Sequence, residues 1–350
     1  MVKRQLDYSN KEQRKEIIRR MYRAPIKHYV REYGWVEAAR KRKLTLNKVD
    51  RELRYFTLCS LEAIDIKTLY EAGILGRAAS GYPSTFFCER DKELTEEIAR
   101  IVGSNYWSGA FEEFISKLYS NNDRLRDKLK EQNLFPFDIY NLDFTGSCIP
   151  GDQPPYSRTL EALTHLVDLQ HKEEQDFDIF LTFRAKEDKD NKDAIKQLVN
   201  LLSDNCKKYP EAKKTLDAHY SDIDKLRSAR YELFIAIAIP KFLSGIAKDY
   251  RYKLGISPSY KYKRRQKSAN AEPYYITSMI ISLEYIHDKR SGKLSKLSDP
   301  PIVDEIQNIH YPNSIIEIFS HDVIDVDKKL RDKPELTKIL SDKVKKICGC

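Results

Sequence analysis

The sequence lacks the motifs that mark the commonest nucleotide and serine hydrolases. It contains neither a GxxxxGK[ST] phosphate loop nor a GxSxG nucleophile elbow. Its seven histidines form no HExxH or similar metal-ligand spacing, which argues against a zinc hydrolase. A basic-apolar-small leader is missing, as is any apolar run of about 18 residues. We therefore expect a soluble protein that is not secreted and binds no metal.

Cysteine is sparse, and none of the six cysteines belongs to a CxxC pair. This scatter favours neither a disulfide framework nor a zinc ribbon, so the reducing cytoplasm is the expected location. The ending Cys-Gly-Cys at positions 348–350 is similar to a prenyl acceptor or a soft-metal ligand pair. Nothing else in the chain resembles a small GTPase, and we interpret these residues as a frayed end.

Charge is abundant in this chain of 350 residues. Charged residues make up 33% and hydrophobic residues 41%, a composition typical of a globular protein with a heavily charged surface. Lys and Arg number 62 and Asp and Glu 53, which gives a net charge of +9. This charge favours a polyanionic partner, although a lysine-rich surface that keeps the protein in solution has the same composition.

From residue 55 onward, short apolar runs alternate with amphipathic stretches. The predicted strands are YFTLCSL (55–61), STFFCERD (84–91), YWSGAFEEF (106–114), FDIYNLDF (137–144) and FDIFLTFRA (177–185). Such alternation predicts an α/β fold: a Rossmann-like three-layer sandwich with a mainly parallel sheet. Tyr-rich segments at 257–265 and 273–286 predict a C-terminal antiparallel hairpin.

Three segments are predicted. Residues 1–49 form a basic, helical N-terminal extension that is broken near Pro25, residues 50–290 the Rossmann-like domain, and residues 291–350 a C-terminal cap.

Two predicted strands end in a carboxylate. Glu89 ends the second strand, and Asp143 ends the fourth, just before Phe144, Thr145, Gly146 and Ser147. Ligands of open parallel sheets bind beyond the carboxyl ends of the strands, and an acidic residue there can accept both hydroxyls of a ribose. Each carboxylate is equally compatible with capping the next helix or ending a strand.

The five strand-helix units, the acidic end of strand two, NLDFTGS at strand four and the closing Tyr-rich hairpin resemble a class I S-adenosylmethionine-dependent methyltransferase over about residues 50–290. The resemblance implies S-adenosylmethionine as cofactor, Glu89 as the ribose ligand, Gly109 and Ala110 as the adenine-side wall, and Asp143 beside the transferred methyl group.

The sequence departs from that family at the turn after the first strand. The family has a glycine-rich turn there, whereas LCSLEAIDIKTL (58–69) has no glycine. Ser60, Glu62 and Asp65 would then face the methionine part of the cofactor. Without glycine, a left-handed turn is expected to cost about 1 kcal/mol or more.

Two Pro-Pro segments are superficially similar to the motif with which amino-methyltransferases of DNA orient an amine. They are DQPPYS (152–157) and SDPPIV (298–303), and neither directly follows a strand. We discount both as motifs and keep Tyr156 as a wall of the cleft.

A basic, aromatic stretch is the best candidate for binding nucleic acid. Its cations would neutralise phosphates and its rings would stack on bases; it consists of Tyr260, Lys261, Tyr262, Lys263, Arg264 and Arg265. Alternation along a strand would equally place both tyrosines in the core. A nuclease alternative rests on Asp178, in the fifth predicted strand, with Glu187 and Lys189, which lie in a charged run typical of a solvated loop.

The leading hypothesis is therefore methyl transfer from S-adenosylmethionine to a nucleic acid by in-line displacement. The alternative is a catalytically inactive methyltransferase-like module that binds nucleic acid or a protein partner. The missing glycine turn favours the alternative, and the strand-end carboxylates favour the enzyme.

Overall fold

The computed structural model describes residues 11–103, 105–120, 123–151, 158–187, 190–220, 222–264, 273–287 and 302–349. The described residues form nine β-strands and fifteen α-helices. The predicted fold class is confirmed: it is a Rossmann-like α/β fold whose mixed, mostly parallel strands are flanked by helices. None of the described helices has the length and hydrophobicity that crossing a membrane requires.

The chain divides into two compact units. Unit 1 consists of Met1–Ala110 and Val326–Cys350, and unit 2 is Phe111–Asp325. Unit 1 is therefore built from two segments, one before and one after unit 2 in the sequence, whereas unit 2 is one continuous segment.

Unit 1 contains three parallel strands in the order β3-β2-β1. They are β1 (Tyr55–Leu58), β2 (Thr85–Glu89) and β3 (Tyr106–Ser108). Its helices are α1 (Lys11–Tyr22), α2 (Pro25–Val30), α3 (Val36–Asn47), α4 (Ile64–Glu71), α5 (Lys92–Val102), α14 (Val326–Asp332) and α15 (Pro334–Cys348). Residues buried on β1 and β2, such as Phe56 and Phe87, form the core of this unit with α4 and α5.

The N-terminal segment is helical, as predicted, and its break lies at Pro25. Pro25 is the first residue of α2, a position where its missing N–H costs no hydrogen bond. Between α2 and α3 the helix widens into a π-helical turn, Arg31–Trp35. Such single π turns insert one residue into a helix and are frequent at functional sites.

Unit 2 contains the remaining six strands: β4 (Ile139–Asp143), β5 (Phe177–Ala185), β6 (Tyr252–Ile256), β7 (Ser259–Arg264), β8 (Tyr274–Tyr285) and β9 (Val323–Asp325). Strands β4 and β5 are parallel, and β8 pairs with β5 in the antiparallel direction. The helices are α6 (Phe111–Tyr119), α7 (Asp123–Glu131), α8 (Arg158–Lys172), α9 (Lys192–Lys208), α10 (Pro210–Tyr220), α11 (Ile223–Ala229), α12 (Tyr231–Asp249) and α13 (Ile302–Ser320).

The predicted hairpin is present as β7 and β8, and a strand that was not predicted, β6, precedes it. Strands β6 and β7 pair in succession with the same strand, β8. The pairing register shifts by one residue between them, at Ser257 and Pro258, where Pro258 has no N–H to donate. The sequence prediction missed β6 because this interruption separates it from the Tyr-rich pattern.

Candidate functional site

The carboxyl ends of β1, β2 and β3 lie side by side in unit 1. Leu58 of β1 pairs in register with Cys88 of β2, and Glu89 pairs with Ser108 of β3. Beyond β3, the Gly109 N–H donates to the carbonyl oxygen of Glu89 at 2.9 Å. The structure thus places the backbone of Glu89 beside Gly109, which Ala110 follows in the chain; the sequence predicts that all three bind the cofactor.

Glu89 carries a partly buried carboxylate. Burial raises its pKa, and the backbone N–H groups of the next turn oppose this effect. One of these, the Asp91 N–H, donates to Glu89 Oε1 at 2.8 Å. Asp91 itself caps α5, since its side chain accepts hydrogen bonds from the Glu93 and Leu94 N–H groups. The capping role considered for Glu89 therefore belongs to Asp91.

The turn from β1 to α4 adopts a left-handed conformation without glycine. Ala63 has φ 49° and ψ 41°, and its side chain is fully buried. Its N–H donates to the Ser60 carbonyl oxygen at 2.8 Å, and the Ile64 N–H lies 3.4 Å from Ser60 Oγ. A left-handed alanine costs roughly 1–2 kcal/mol, so the turn stores strain where the methyltransferase family has glycine.

Asp65 is held against β1. Its carboxylate accepts hydrogen bonds from the Thr57 hydroxyl at 2.6 Å and from the Tyr55 hydroxyl at 3.1 Å. Both donors and the carboxylate are buried. Asp65 therefore fixes the first turn of α4 to the strand.

Glu62 is bound by both ends of unit 1. Arg23 pairs with its carboxylate through two nitrogens, with Nε 2.7 Å from Oε2. The Cys348 thiol lies 3.7 Å from the same oxygen, and Cys348 ends α15 as a half-buried residue. Interpreting Cys348 as part of a frayed end is therefore wrong, because α15 is ordered to this residue and packs it against Glu62. Cys350 lies outside the described residues.

Arg31, in the π-helical turn, is a buried residue that the sequence analysis missed. Its side chain is only 1% exposed, and Nη1 donates to the Tyr22 carbonyl oxygen at 2.8 Å. Its guanidinium carbon lies 5.9 Å from the centre of the Trp35 ring. Nε is buried without a hydrogen-bond partner, and no carboxylate among the described residues forms an ion pair with Arg31. The guanidinium thus carries an uncompensated charge.

The acidic residue nearest to Arg31 in the sequence is Glu32, and its negative charge is already paired with other side chains. Its carboxylate lies 2.7 Å from Lys343 Nζ and 3.2 Å from the buried His28 Nε2. The His28 and Lys343 contacts lower the pKa of Glu32 to about 2. Burial lowers the pKa of His28, so its imidazole is largely neutral near pH 7.

The pKa of the buried Cys59 thiol responds both to carboxylates near the strand ends and to Arg31. Burial raises its pKa well above the usual value, and the nearby carboxylates of Asp65 and Glu89 raise it further. Lys67 and Arg31 act in the opposite direction, which places the Arg31 charge within electrostatic reach of this thiol. The charges of two carboxylates and two cations thus act on the residue directly after β1.

A family model described as PP_RS20740-like matches residues 22–348. The chain belongs to the PP_RS20740-like family. No curated protein and no solved structure matches it. The matched range begins at Tyr22, which accepts the hydrogen bond from Arg31, and ends at Cys348, which contacts Glu62. The matched range thus includes the β1 turn and the residues that contact it.

In this PP_RS20740-like protein, Asp143 belongs to unit 2 and Glu89 to unit 1. Asp143 is the last residue of β4, is buried, and pairs in register with Thr182 of β5. The following loop continues beside β5, since the Phe144 N–H donates to the Thr182 carbonyl oxygen at 2.8 Å. Both predicted carboxylates therefore end parallel strands, as the sequence indicated.

The basic, aromatic stretch lies on β7, and its first three side chains are buried. Tyr260 and Tyr262 are 4% and 6% exposed, which is the core placement that alternation also allowed. Lys261 Nζ lies 3.0 Å from the buried Glu232 Oε1. Lys263 is exposed and Arg264 half-buried, and their cations lie over the rings of Tyr275 and Tyr274. Arg265 lies outside the described residues.

The other predicted features contribute no described site. Glu187 is exposed, 3.8 Å from Arg227 Nε, and Lys189 is outside the described residues. Residues 152–157, which include Tyr156, and residues 298–301 are outside them as well. Within the described part of the chain, no group of three or more His, Cys, Asp or Glu side chains is arranged to hold a metal ion.

Proposed function

We propose that this member of the PP_RS20740-like family is an S-adenosylmethionine-dependent methyltransferase that acts on nucleic acid. The observation that carries the proposal is the position of Glu89 beside Gly109 and Ala110 at the ends of three parallel strands. In this proposal Glu89 accepts hydrogen bonds from the ribose hydroxyls, and Gly109 and Ala110 lie against the adenine.

The state of the Glu89 carboxylate supports this role. A partly desolvated carboxylate is less stable in its ionised form, as its raised pKa reflects. Two hydroxyl donors from a ribose would compensate that loss through charge-assisted hydrogen bonds. A ligand with a vicinal diol is thus favoured over one without.

The cofactor would supply the methyl group, and the chain's residues would align it with the acceptor. Alignment is the main contribution that a protein makes to an in-line displacement. Asp143 orients the acceptor in this proposal. The net charge of +9 and the exposed Lys263 support a nucleic-acid acceptor.

We place the protein in the cytoplasm. The five described cysteines are free thiols, and four of them are buried. Free, buried thiols are typical of proteins that work in a reducing compartment.

A second candidate is a catalytically inactive module that binds nucleic acid or a protein. Two residues that would face the methionine end are engaged within the protein, since Glu62 pairs with Arg23 and Asp65 with the hydroxyls of β1. The absence of a glycine turn points in the same direction.

Calorimetric titration with S-adenosylhomocysteine separates the two candidates. We expect saturable binding by the wild type and about tenfold or greater weakening in Glu89→Ala, because hydrogen bonds to charged groups are worth about 1.5–3 kcal/mol. Glu96→Ala is the matched control, since Glu96 is an exposed residue of the neighbouring helix α5. Absence of heat at millimolar ligand, or equal affinity of Glu89→Ala, would favour the inactive module.

A further inference from the structure

Arg31 is a buried cation whose charge the described residues leave uncompensated. Its side chain is 1% exposed and has one hydrogen bond, to the Tyr22 carbonyl oxygen, while Nε has none. Removing a charge from water is unfavourable unless an opposite charge and further hydrogen bonds replace the lost hydration. A guanidinium offers five N–H donors, so most of its binding capacity is unused.

A buried guanidinium needs a counter-charge or further hydrogen bonds to replace its lost hydration. The adjacent Glu32 is engaged by His28 and Lys343. The geometry therefore leaves a negatively charged ligand as the natural counter-charge.

The location of Arg31 indicates where in unit 1 such a ligand would bind. The π-helical turn packs against α4, and the guanidinium is within electrostatic reach of Cys59, directly after β1. At this turn the methyltransferase family has glycine and a closely approaching backbone, and this chain has the left-handed Ala63. A planar guanidinium binds a carboxylate through two parallel hydrogen bonds, which backbone N–H groups would otherwise supply.

We propose that Arg31 binds the anionic group of a ligand at the carboxyl end of β1, and that in S-adenosylmethionine this group is the carboxylate of the amino-acid part. The identity of the ligand rests on the proposed function, whereas the need for an anion rests on Arg31 alone. The same site would accept a phosphate group, which is also an anion and also offers acceptor oxygens to a guanidinium.

The test compares two ligands that share the nucleoside. S-adenosylhomocysteine carries the amino-acid carboxylate, and 5′-methylthioadenosine lacks it. We expect Arg31→Met to weaken the first by about tenfold or more and to leave the second within about twofold, as removal of one charged contact predicts. Arg31→Lys, which keeps the charge without the planar fork, should be intermediate. Arg40→Met, which alters an exposed arginine of α3, is the control.

Melting temperatures measured without ligand test independently whether Arg31 binds an anion or only packs within the protein. Arg31→Met should melt at the same or a higher temperature than the wild type, because it removes an unpaired buried charge. Equal weakening of both nucleosides together with a lower melting temperature would overturn the proposal and make Arg31 a packing residue. If Arg31→Met does not fold, the same comparison is made with Arg31→Lys.

Failure of the proposed function has a different signature. If neither nucleoside binds the wild type, inorganic phosphate is used as the probe. A phosphate-dependent rise in melting temperature that disappears in Arg31→Met would retain the anion site without the methyltransferase. No Arg31-dependent effect of any of the three probes would overturn the anion site as well.

Discussion

Strand β7 of unit 2 and the π-helical turn of unit 1 each bury a cation, and they treat its charge differently. On β7, Lys261 Nζ lies 3.0 Å from the Glu232 carboxylate. In the π-helical turn, Arg31 donates one hydrogen bond to a neutral carbonyl group. Lys261 thus has a counter-charge within the protein. Arg31 has no carboxylate partner among the described residues.

A third buried cation shows why the difference matters. Lys241 of α12 is 0% exposed and donates to the Tyr311 hydroxyl at 2.8 Å and to Ser244 Oγ at 3.2 Å. Burial, with a smaller effect of Lys248, lowers its pKa to about 8, so it can become neutral by losing a proton. Arg31 has no carboxylate partner in the described part of the chain, which is why we propose an anionic ligand for it.

The largest effect is expected from breaking the paired cation. Lys261→Met leaves the Glu232 carboxylate buried and unpaired, and we expect the free energy of unfolding to fall by about 3–5 kcal/mol. Urea denaturation followed by circular dichroism measures this change. Lys263 lies two residues further along the same strand and is exposed. Lys263→Met should therefore change the free energy of unfolding by less than about 0.5 kcal/mol. Similar small effects for both variants would show that the Glu232 pair is solvated.

A somewhat smaller effect, of opposite sign, is expected from the buried lysine without a carboxylate. The folded-state pKa of Lys241, about 8, is below the value of 10.5 for a free lysine, so the unfolded state binds more protons between these pH values and stability rises with pH there. Lys241→Met should therefore stabilise the protein at pH 7 by an amount on the order of 3 kcal/mol.

This gain should shrink as the pH rises from 8 towards 10.5, because the folded wild type then loses the proton and no longer buries a charge, while the unfolded state still keeps it. Unfolding free energies at pH 7 and pH 10 test it. Lys214→Met, which changes an exposed lysine of α10, should show no such pH dependence. A Lys241→Met variant destabilised equally at both pH values would show that the hydrogen bonds of Lys241 outweigh its desolvation.

The sequence predicted those parts of the molecule that depend on local pattern. Strands β1 to β5 and the β7–β8 hairpin follow from apolar periodicity, and so does the position of Glu89 at the end of β2. The partners of Glu62 and Asp65 were not found, since Arg23 lies 39 positions before Glu62 and the Thr57 contact depends on how α4 folds back on β1. Arg31 was missed because a basic residue in a basic helix gives no local signal of burial.

The smallest expected changes in stability come from substitutions at two residues with a left-handed backbone. Ala63 and Asp50 both have a left-handed backbone, but Ala63 is buried and Asp50 is exposed. Asp50→Gly should stabilise by about 0.5 kcal/mol through relief of strain. Ala63→Gly should change stability by less than about 1 kcal/mol, since lost burial of the methyl group offsets the relief.

Ala63→Val should lose more than about 2 kcal/mol, because a β-branched residue is poorly tolerated at positive φ and the site is fully packed. Thermal denaturation of the three variants tests this order. A well-tolerated valine would show that the β1–α4 turn can leave the left-handed conformation.

The division of unit 1 into two segments affects the order in which the protein can fold during synthesis. Helix α15 packs against α2 and α4, and its Lys343 and Cys348 reach Glu32 and Glu62, more than 280 positions earlier in the chain. During synthesis, unit 2 leaves the ribosome as a complete segment while unit 1 still lacks its last two helices. The turn that carries Glu62 therefore gains its contacts with α15 only after unit 2 has been translated, so ligand binding at β1 would report that α15 has docked on the N-terminal part of unit 1.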